Sequence, residues 1–202
     1  MIIDKQEYHV KGTTYTIRSA APSDAEALSG LRVKIDGETE NLDREPGEAF
    51  IDPAGFEQII QMDAQLTRNL FLVAVVEDKI VGFSRCEGTY LTRFAHKAEF
   101  GVCILKAYWG FGIGKNLLKQ SLAWADSNGI KKMTLNVLQT NEKAIQLYEK
   151  LGFEVEGVWK HDRLLSDENY YHTVVMGRFV EEQRAGDSDQ RKTVLAGGDK
   201  KT

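Results

Sequence analysis

Trp109-Gly110-Phe111-Gly112-Ile113-Gly114-Lys115 places three glycines at alternate positions directly before an amphipathic run, Leu117 to Trp124. A glycine-rich turn feeding a helix start gathers several unpaired backbone N–H groups, and the helix dipole adds partial positive charge there. The chemistry such a turn offers is phosphate binding. Phe100 to Leu105 reads as a buried strand in front of it, so the unit is strand, glycine turn, helix, the context an anion cradle requires. Neither common nucleotide loop fits. A dinucleotide fingerprint needs a third glycine where the chain has Leu117, and a Walker loop needs Ser or Thr where it has Asn116.

A second segment runs from Asn141 to Phe153. Asn141 can cap a helix whose apolar stripe is Ala144, Ile145, Leu147, Tyr148 and Leu151, and Gly152 is a natural stop. On spacing alone, Tyr148 packs its ring with Leu147 and Leu151. Glu99 opens the strand that leads to the glycine turn, where a solvated strand end is its plain role. His9, His96, His161 and His172 are scattered and show no ligand spacing, so no metal is expected. Cys86 and Cys103 lie in strand-like apolar stretches and read as reduced core residues without a disulfide.

The elements that must position these groups alternate along the chain. Thr14 to Arg18 reads as a strand. Ser23 or Asp24 can cap a helix through Ala25, Leu28, Leu31 and Ile35, and a second helix is expected over Gly55 to Arg68. Leu70 to Val76 and Ile80 to Cys86, joined by Glu77-Asp78-Lys79, form an expected hairpin that the strand at Phe100 continues. After the glycine turn and its helix, Asn128-Gly129 is a stop and Met133 to Leu138 a further strand. Two last strands are expected near Phe153 to Trp159 and Tyr171 to Phe179. From Glu181 onward apolar residues are sparse. The expected organisation is one domain over residues 1–180 with a disordered tail at 181–202.

With 202 residues, 42% hydrophobic and 28% charged, the composition is that of an ordinary globular protein. A formal charge of -4 gives no general attraction to nucleic acid or anionic membrane. No apolar run is long enough to span a bilayer and the start lacks a secretory apolar region, so a cytoplasmic location is expected.

Together, the glycine turn and the Asn141 to Phe153 segment resemble the GNAT superfamily of acetyl-CoA-dependent N-acetyltransferases, over about residues 14 to 180. The family writes the first motif Arg/Gln-x-x-Gly-x-Gly/Ala; Gly112 and Gly114 match its glycines, and Trp109 stands at the Arg/Gln position. The resemblance implies an α/β fold with a central mixed, mostly antiparallel twisted sheet flanked by about four helices. It also implies acetyl-CoA as acetyl donor, with its pyrophosphate on Trp109, Gly110, Phe111, Gly112, Ile113, Gly114 and Lys115. The pantetheine arm would follow Val102, Cys103 and Ile104 where that strand splays from the next, which carries Asn136, with Asn141 and Ala144 beside it. Tyr148 falls where the family places the tyrosine that protonates the coenzyme A sulfur. Glu99 falls where many members carry the glutamate that takes the amine's proton; His172 is the rival base, with Glu87 and Tyr170 behind it. A primary amine is the implied acceptor, and many members pair into homodimers. Asp36, Glu38, Glu40, Asp43, Glu45 and Glu48 stand against Arg44 alone in the stretch bordering the acceptor pocket, which favours a polyamine-like amine. The segment after Gly152 also resembles the branch with ribosomal-protein and polyamine acetyltransferases, leaving a protein N-terminal α-amine as the other acceptor. A non-catalytic acyl-CoA sensor is the remaining alternative.

Overall fold

In a computed structural model, residues 2–181 are described, so the expected tail at 181–202 lies outside them except for its first residue. The eight strands are β1 (Gln6–Val10), β2 (Thr13–Ser19), β3 (Leu70–Val76), β4 (Lys79–Gly88), β5 (Lys97–Ile104), β6 (Lys132–Leu138), β7 (Glu154–Leu164) and β8 (Tyr170–Phe179). The four α-helices are α1 (Ala25–Asp36), α2 (Pro53–Gln65), α3 (Ile113–Ser127) and α4 (Glu142–Lys150). One mixed sheet takes the strands in the order β1-β2-β3-β4-β5-β6-β8-β7. Every neighbouring pair is antiparallel except β5 and β6.

β3 is buried on both faces, which explains its unbroken apolar sequence. Leu70, Leu72 and Ala74 join the core under α3 and α4, while Phe71 and Val73 join the core under α1 and α2. α3 closes the first core with Leu117, Leu118, Leu122 and Trp124. Glu77 and Asp78 turn the β3–β4 hairpin with φ of 46° and 63°, the twist such turns need, here without glycine.

Several boundaries differ from the sequence expectation. β1 was not anticipated: it is a short polar edge strand, held partly by Tyr8 stacked on Tyr15 with ring centroids 5.3 Å apart. α2 starts at Pro53, because the Asp52 carboxylate accepts the Gly55 N–H at 2.8 Å, and it ends at Gln65 rather than Arg68. Asp24 precedes α1 without capping it; its carboxylate accepts from the Ala21 N–H and from Arg18 instead. β7 runs past Trp159 to Leu164 through register shifts against β8.

Candidate active site

β5 and β6 pair only where Lys97, Ala98 and Glu99 face Lys132, Met133 and Thr134. Beyond Glu99 the strands part: β5 stays on β4 as far as Ile104, and β6 turns to β8 as far as Leu138. A cleft of about 830 Å³ opens at this parting. Backbone groups on the facing edges of two separated parallel strands lack their ladder partners, so an extended ligand arm can supply them.

The glycine turn stands at one end of the cleft. Gly110 and Gly112 have φ of 81° and 77°, a region in which an L side chain is strained, and Gly112 is the residue from which α3 starts. The Asn116 N–H donates to the Gly112 carbonyl at 2.9 Å, so the N–H groups of Ile113, Gly114 and Lys115 precede the first helical bond. Gly110, Gly112, Ile113, Gly114 and Lys115 all line the cleft, and the turn therefore fits a pyrophosphate. Trp109 lines it too, but its indole N–H is committed to the Ile104 carbonyl at 2.9 Å. Phe111 is the exception among the predicted donor-binding residues: it packs on the core instead.

Val102, Cys103 and Ile104 line the cleft from β5, Asn136 from β6, and Asn141 and Ala144 from the start of α4. The Asn141 side chain makes no capping bond, contrary to its plain expectation, although its carbonyl takes the Ala144 and Ile145 N–H groups. Cys103 is half-buried and packs against the core under α1 and α2, and burial pushes its thiol up to about 11. It is therefore a poor nucleophile at neutral pH.

Tyr148 is 9% exposed and packs its ring on Phe153 with centroids 5.9 Å apart, yet it also lines the cleft. Burial pushes its phenol up to about 12, so it stays protonated throughout the neutral range. Glu99 sits at the last paired position of β5, exposed to the cleft, with the Asn136 amide donating to its Oε1 at 3.5 Å. The rival bases stand elsewhere. His172 accepts the His161 N–H on Nδ1 at 3.1 Å, Glu87 is paired with Arg85 at 2.8 Å, and none of Glu87, Tyr170 or His172 lines the cleft.

Toward α1 and α2 the same cleft is lined by residues that sequence reasoning missed, among them Arg32, Phe56, Phe71, Phe83 and Arg85. Arg32 had a legible signal: it occupies the apolar stripe of α1, one turn from Leu28 and from Ile35, where a charge is out of place.

The acidic stretch lies between this cleft and a second one of about 1090 Å³ beside β7. Two of its six acids are ion-paired and two more accept backbone N–H groups from other elements. Arg44 pairs with the buried Asp36, Arg163 pairs with Asp43, and the Glu38 and Glu40 carboxylates accept the N–H groups of Lys106 and Ser166 at 2.6 and 2.8 Å. Asp36 and Asp43 are thus paired with cations, whereas Glu38 and Glu40 accept neutral N–H groups and keep their charge.

A mixed sheet that parts around a cleft, with a helix start suited to a phosphate at one end, is the architecture of an acyl-CoA-dependent acyltransferase. The chain belongs to the acetyltransferase (GNAT) family, whose model matches residues 38–153. It is 30% identical over 108 residues to the L-amino acid N-acetyltransferase AaaT of Escherichia coli, covering 53% of this chain and 66% of that protein. It is 31% identical over 111 residues to the [ribosomal protein bS18]-alanine N-acetyltransferase of Haemophilus influenzae, covering 55% and 67%. The chain thus spans about two thirds of the length of these relatives. Among solved structures, a GNAT-family acetyltransferase of Streptococcus pneumoniae superposes with a TM-score of 0.79 at 26% identity, covering 82% of this chain and 99% of that one. The yncA structure of Salmonella typhimurium, a putative acetyltransferase with its cofactor acetyl-CoA, gives 0.73 at 20% identity, covering 86% and 98%. The described residues contain no helix long and apolar enough to cross a membrane.

Proposed function

We propose that this protein is an N-acetyltransferase that moves the acetyl group of acetyl-CoA to a primary amine by direct attack in a ternary complex. The observation that carries the reading is the parting of β5 from β6, with Glu99 at its apex and Tyr148 and the glycine turn on the same cleft. The N–H groups of Ile113, Gly114 and Lys115 hold the pyrophosphate, and the open edges of β5 and β6 hold the pantetheine arm. Glu99 takes a proton from the entering ammonium, freeing the nitrogen lone pair to form a bond to the thioester carbonyl carbon. As the tetrahedral adduct collapses, the C–S bond breaks, Tyr148 supplies the proton that yields free thiol, and the second proton of the attacking nitrogen leaves to give the neutral amide and restore the phenol. Cys103 takes no part as an acetyl carrier, because its thiol is held up at about 11.

The test is calorimetric titration with acetyl-CoA followed by coenzyme A release with a panel of amines and an amine-free control. Binding with amine-dependent release is expected. Binding without release for any amine favours a sensor, and failure to bind acetyl-CoA overturns the reading.

A further inference from the structure

Taking a guanidinium out of water costs several kcal/mol unless a carboxylate meets it. The other arginines packed against the helices of the α1–α2 side follow that rule. Arg18 is held by Asp24 at 2.6 and 2.8 Å, Arg85 by Asp63 at 2.6 and 3.0 Å, and Arg44 by Asp36 at 3.1 and 3.2 Å. Arg32 breaks it. It is 8% exposed, and its one hydrogen bond among the described residues runs from Nη1 to the Ala49 carbonyl at 2.7 Å. No carboxylate lies within ion-pair distance of it there; the nearby Asp36 is already taken by Arg44. Burial, and then the positive charge of Arg44, hold the Arg32 pKa below its ordinary value, whereas those of Arg18, Arg44 and Arg85 are raised. A guanidinium has five donors in a planar fork, so most of its bonding capacity is unspent.

Arg32 lines the cleft of Glu99 and Tyr148 from the α1 side. It is also close enough to Cys103, on the parting strand, to draw that thiol's pKa downward against the larger effect of burial. Next to it the cleft is walled by Phe56, Phe71 and Phe83, with centroid separations of 6.4 Å for the first pair and 5.8 Å for the second.

Resting on the acetyltransferase reading, we propose that Arg32 anchors the carboxylate of the acceptor, and that the acceptor is a neutral α-amino acid with an apolar side chain. A carboxylate would complete the ion pair that Arg32 lacks, in a bidentate geometry a planar fork favours. In an α-amino acid the amine is two bonds from the carboxylate carbon, so a carboxylate held on Arg32 keeps the nitrogen inside the cleft that Glu99 and Tyr148 also line. The phenylalanine wall takes the side chain. A polyamine would bring like charge against an uncompensated buried cation, and a peptide N-terminus carries an amide where the carboxylate is required.

The test compares kcat/KM for amino acids with that for amines lacking only the carboxylate: L-leucine against 3-methylbutylamine, L-methionine against 3-(methylthio)propylamine and L-phenylalanine against phenethylamine. Spermidine and an N-terminal peptide complete the panel. The wild type is expected to prefer the amino acid by about 30-fold or more in at least one pair, the scale of a charge-assisted hydrogen-bonded contact. In Arg32→Met that ratio falls to about 3-fold or less through a raised KM, Arg32→Lys retains part of it, and both variants bind acetyl-CoA like the wild type. Turnover indifferent to the carboxylate in the wild type, or better turnover of spermidine or the peptide, overturns the proposal even if the variants do not fold. Absence of acetyl-CoA binding would instead overturn the acetyltransferase reading beneath it.

Discussion

Replacing Tyr148 with Phe separates two roles that one tyrosine on an apolar helix face can play. If Tyr148 only packs, its worth lies in the ring, which stays 5.9 Å from Phe153 in either residue. The hydroxyl has no hydrogen-bond partner among the described residues and, unlike the sealed hydroxyls of Ser84, Ser121 and Thr173, it is not closed off from the cleft. Removing it leaves no protein group unsatisfied, so stability should change by less than about 0.5 kcal/mol, a shift in Tm within roughly 2 °C for a chain of this size. If Tyr148 protonates the departing sulfur, the same deletion removes a general acid, and kcat should fall about 100-fold or more, equivalent to roughly 2.7 kcal/mol of barrier. The assay is coenzyme A release monitored with a thiol reagent, alongside thermal unfolding of the same samples. A pH series adds an independent reading. Because burial pushes the phenol up to about 12, wild-type kcat should show no loss between about pH 8 and pH 10, where an ordinary tyrosine, near 10, would have surrendered half its proton. The reasoning fails if Tyr148→Phe keeps kcat within about threefold of wild type. It also fails if the variant melts many degrees lower, which would make the lost activity a packing defect.

Two further substitutions probe the cradle and the frame. Gly112→Ala forces an L residue to a φ of 77° with its Cβ no closer than 3.7 Å to Tyr15, so the cost is backbone strain of roughly 1–2 kcal/mol; titration should show acetyl-CoA Kd raised about 10-fold or more. Gly129→Ala, at a φ of 72° in open space beyond α3, should lose similar stability in urea with Kd unchanged, and equal Kd effects at both positions would remove the glycine turn from the binding site. Asp24 tests the frame by pH. Burial alone would raise its carboxyl, but Arg18 and the Ala21 N–H outweigh burial and hold it below the ordinary value. A depressed folded pKa stabilises above the unfolded value of about 3.9 and is lost as pH falls through the folded one. Asp24→Asn should therefore cost roughly 1.5–3 kcal/mol in urea unfolding at pH 7, with a smaller gap from wild type at pH 3; a constant gap would contradict the linkage.

Sequence reading succeeds here where one short segment carries both the signal and its context. The glycine turn is legible because a β strand precedes it and an amphipathic helix follows, all within about 25 residues of chain. β3 is legible because burial on both faces needs no alternation. β1 escaped because Gln6-Glu7-Tyr8-His9-Val10 has little apolar pattern: an edge strand needs only one partner, and its stabilising contacts, Tyr8 on Tyr15 among them, are cross-strand. The end of β7 escaped for the same reason, being exposed along most of its length. Arg32 escaped differently. Its residue type hid a core position that the spacing of Leu28, Leu31 and Ile35 implied, and a charge on an apolar stripe is better treated as a question about its partner than as noise.

The acidic stretch shows why counting charges misjudges a pocket. Six carboxylates against one arginine between Asp36 and Glu48 suggest a surface for polycations, yet several of their partners come from distant sequence. Arg163 arrives from β7 to meet Asp43, Lys106 offers its N–H to Glu38 from the end of β5, and Ser166 offers its N–H to Glu40 from the β7–β8 turn. Asp43, Glu38 and Glu40 tie the α1–α2 connection to the elements that bound the cleft, so they help hold that side of the pocket in place. In a site of reduced dielectric the field is set by charges left without a nearby partner, since paired ones cancel at short range. Toward α1 the cleft also holds Arg32, a cation with no carboxylate at ion-pair distance among the described residues. The acceptor proposed above suits that point of positive charge, because it brings its own carboxylate to Arg32.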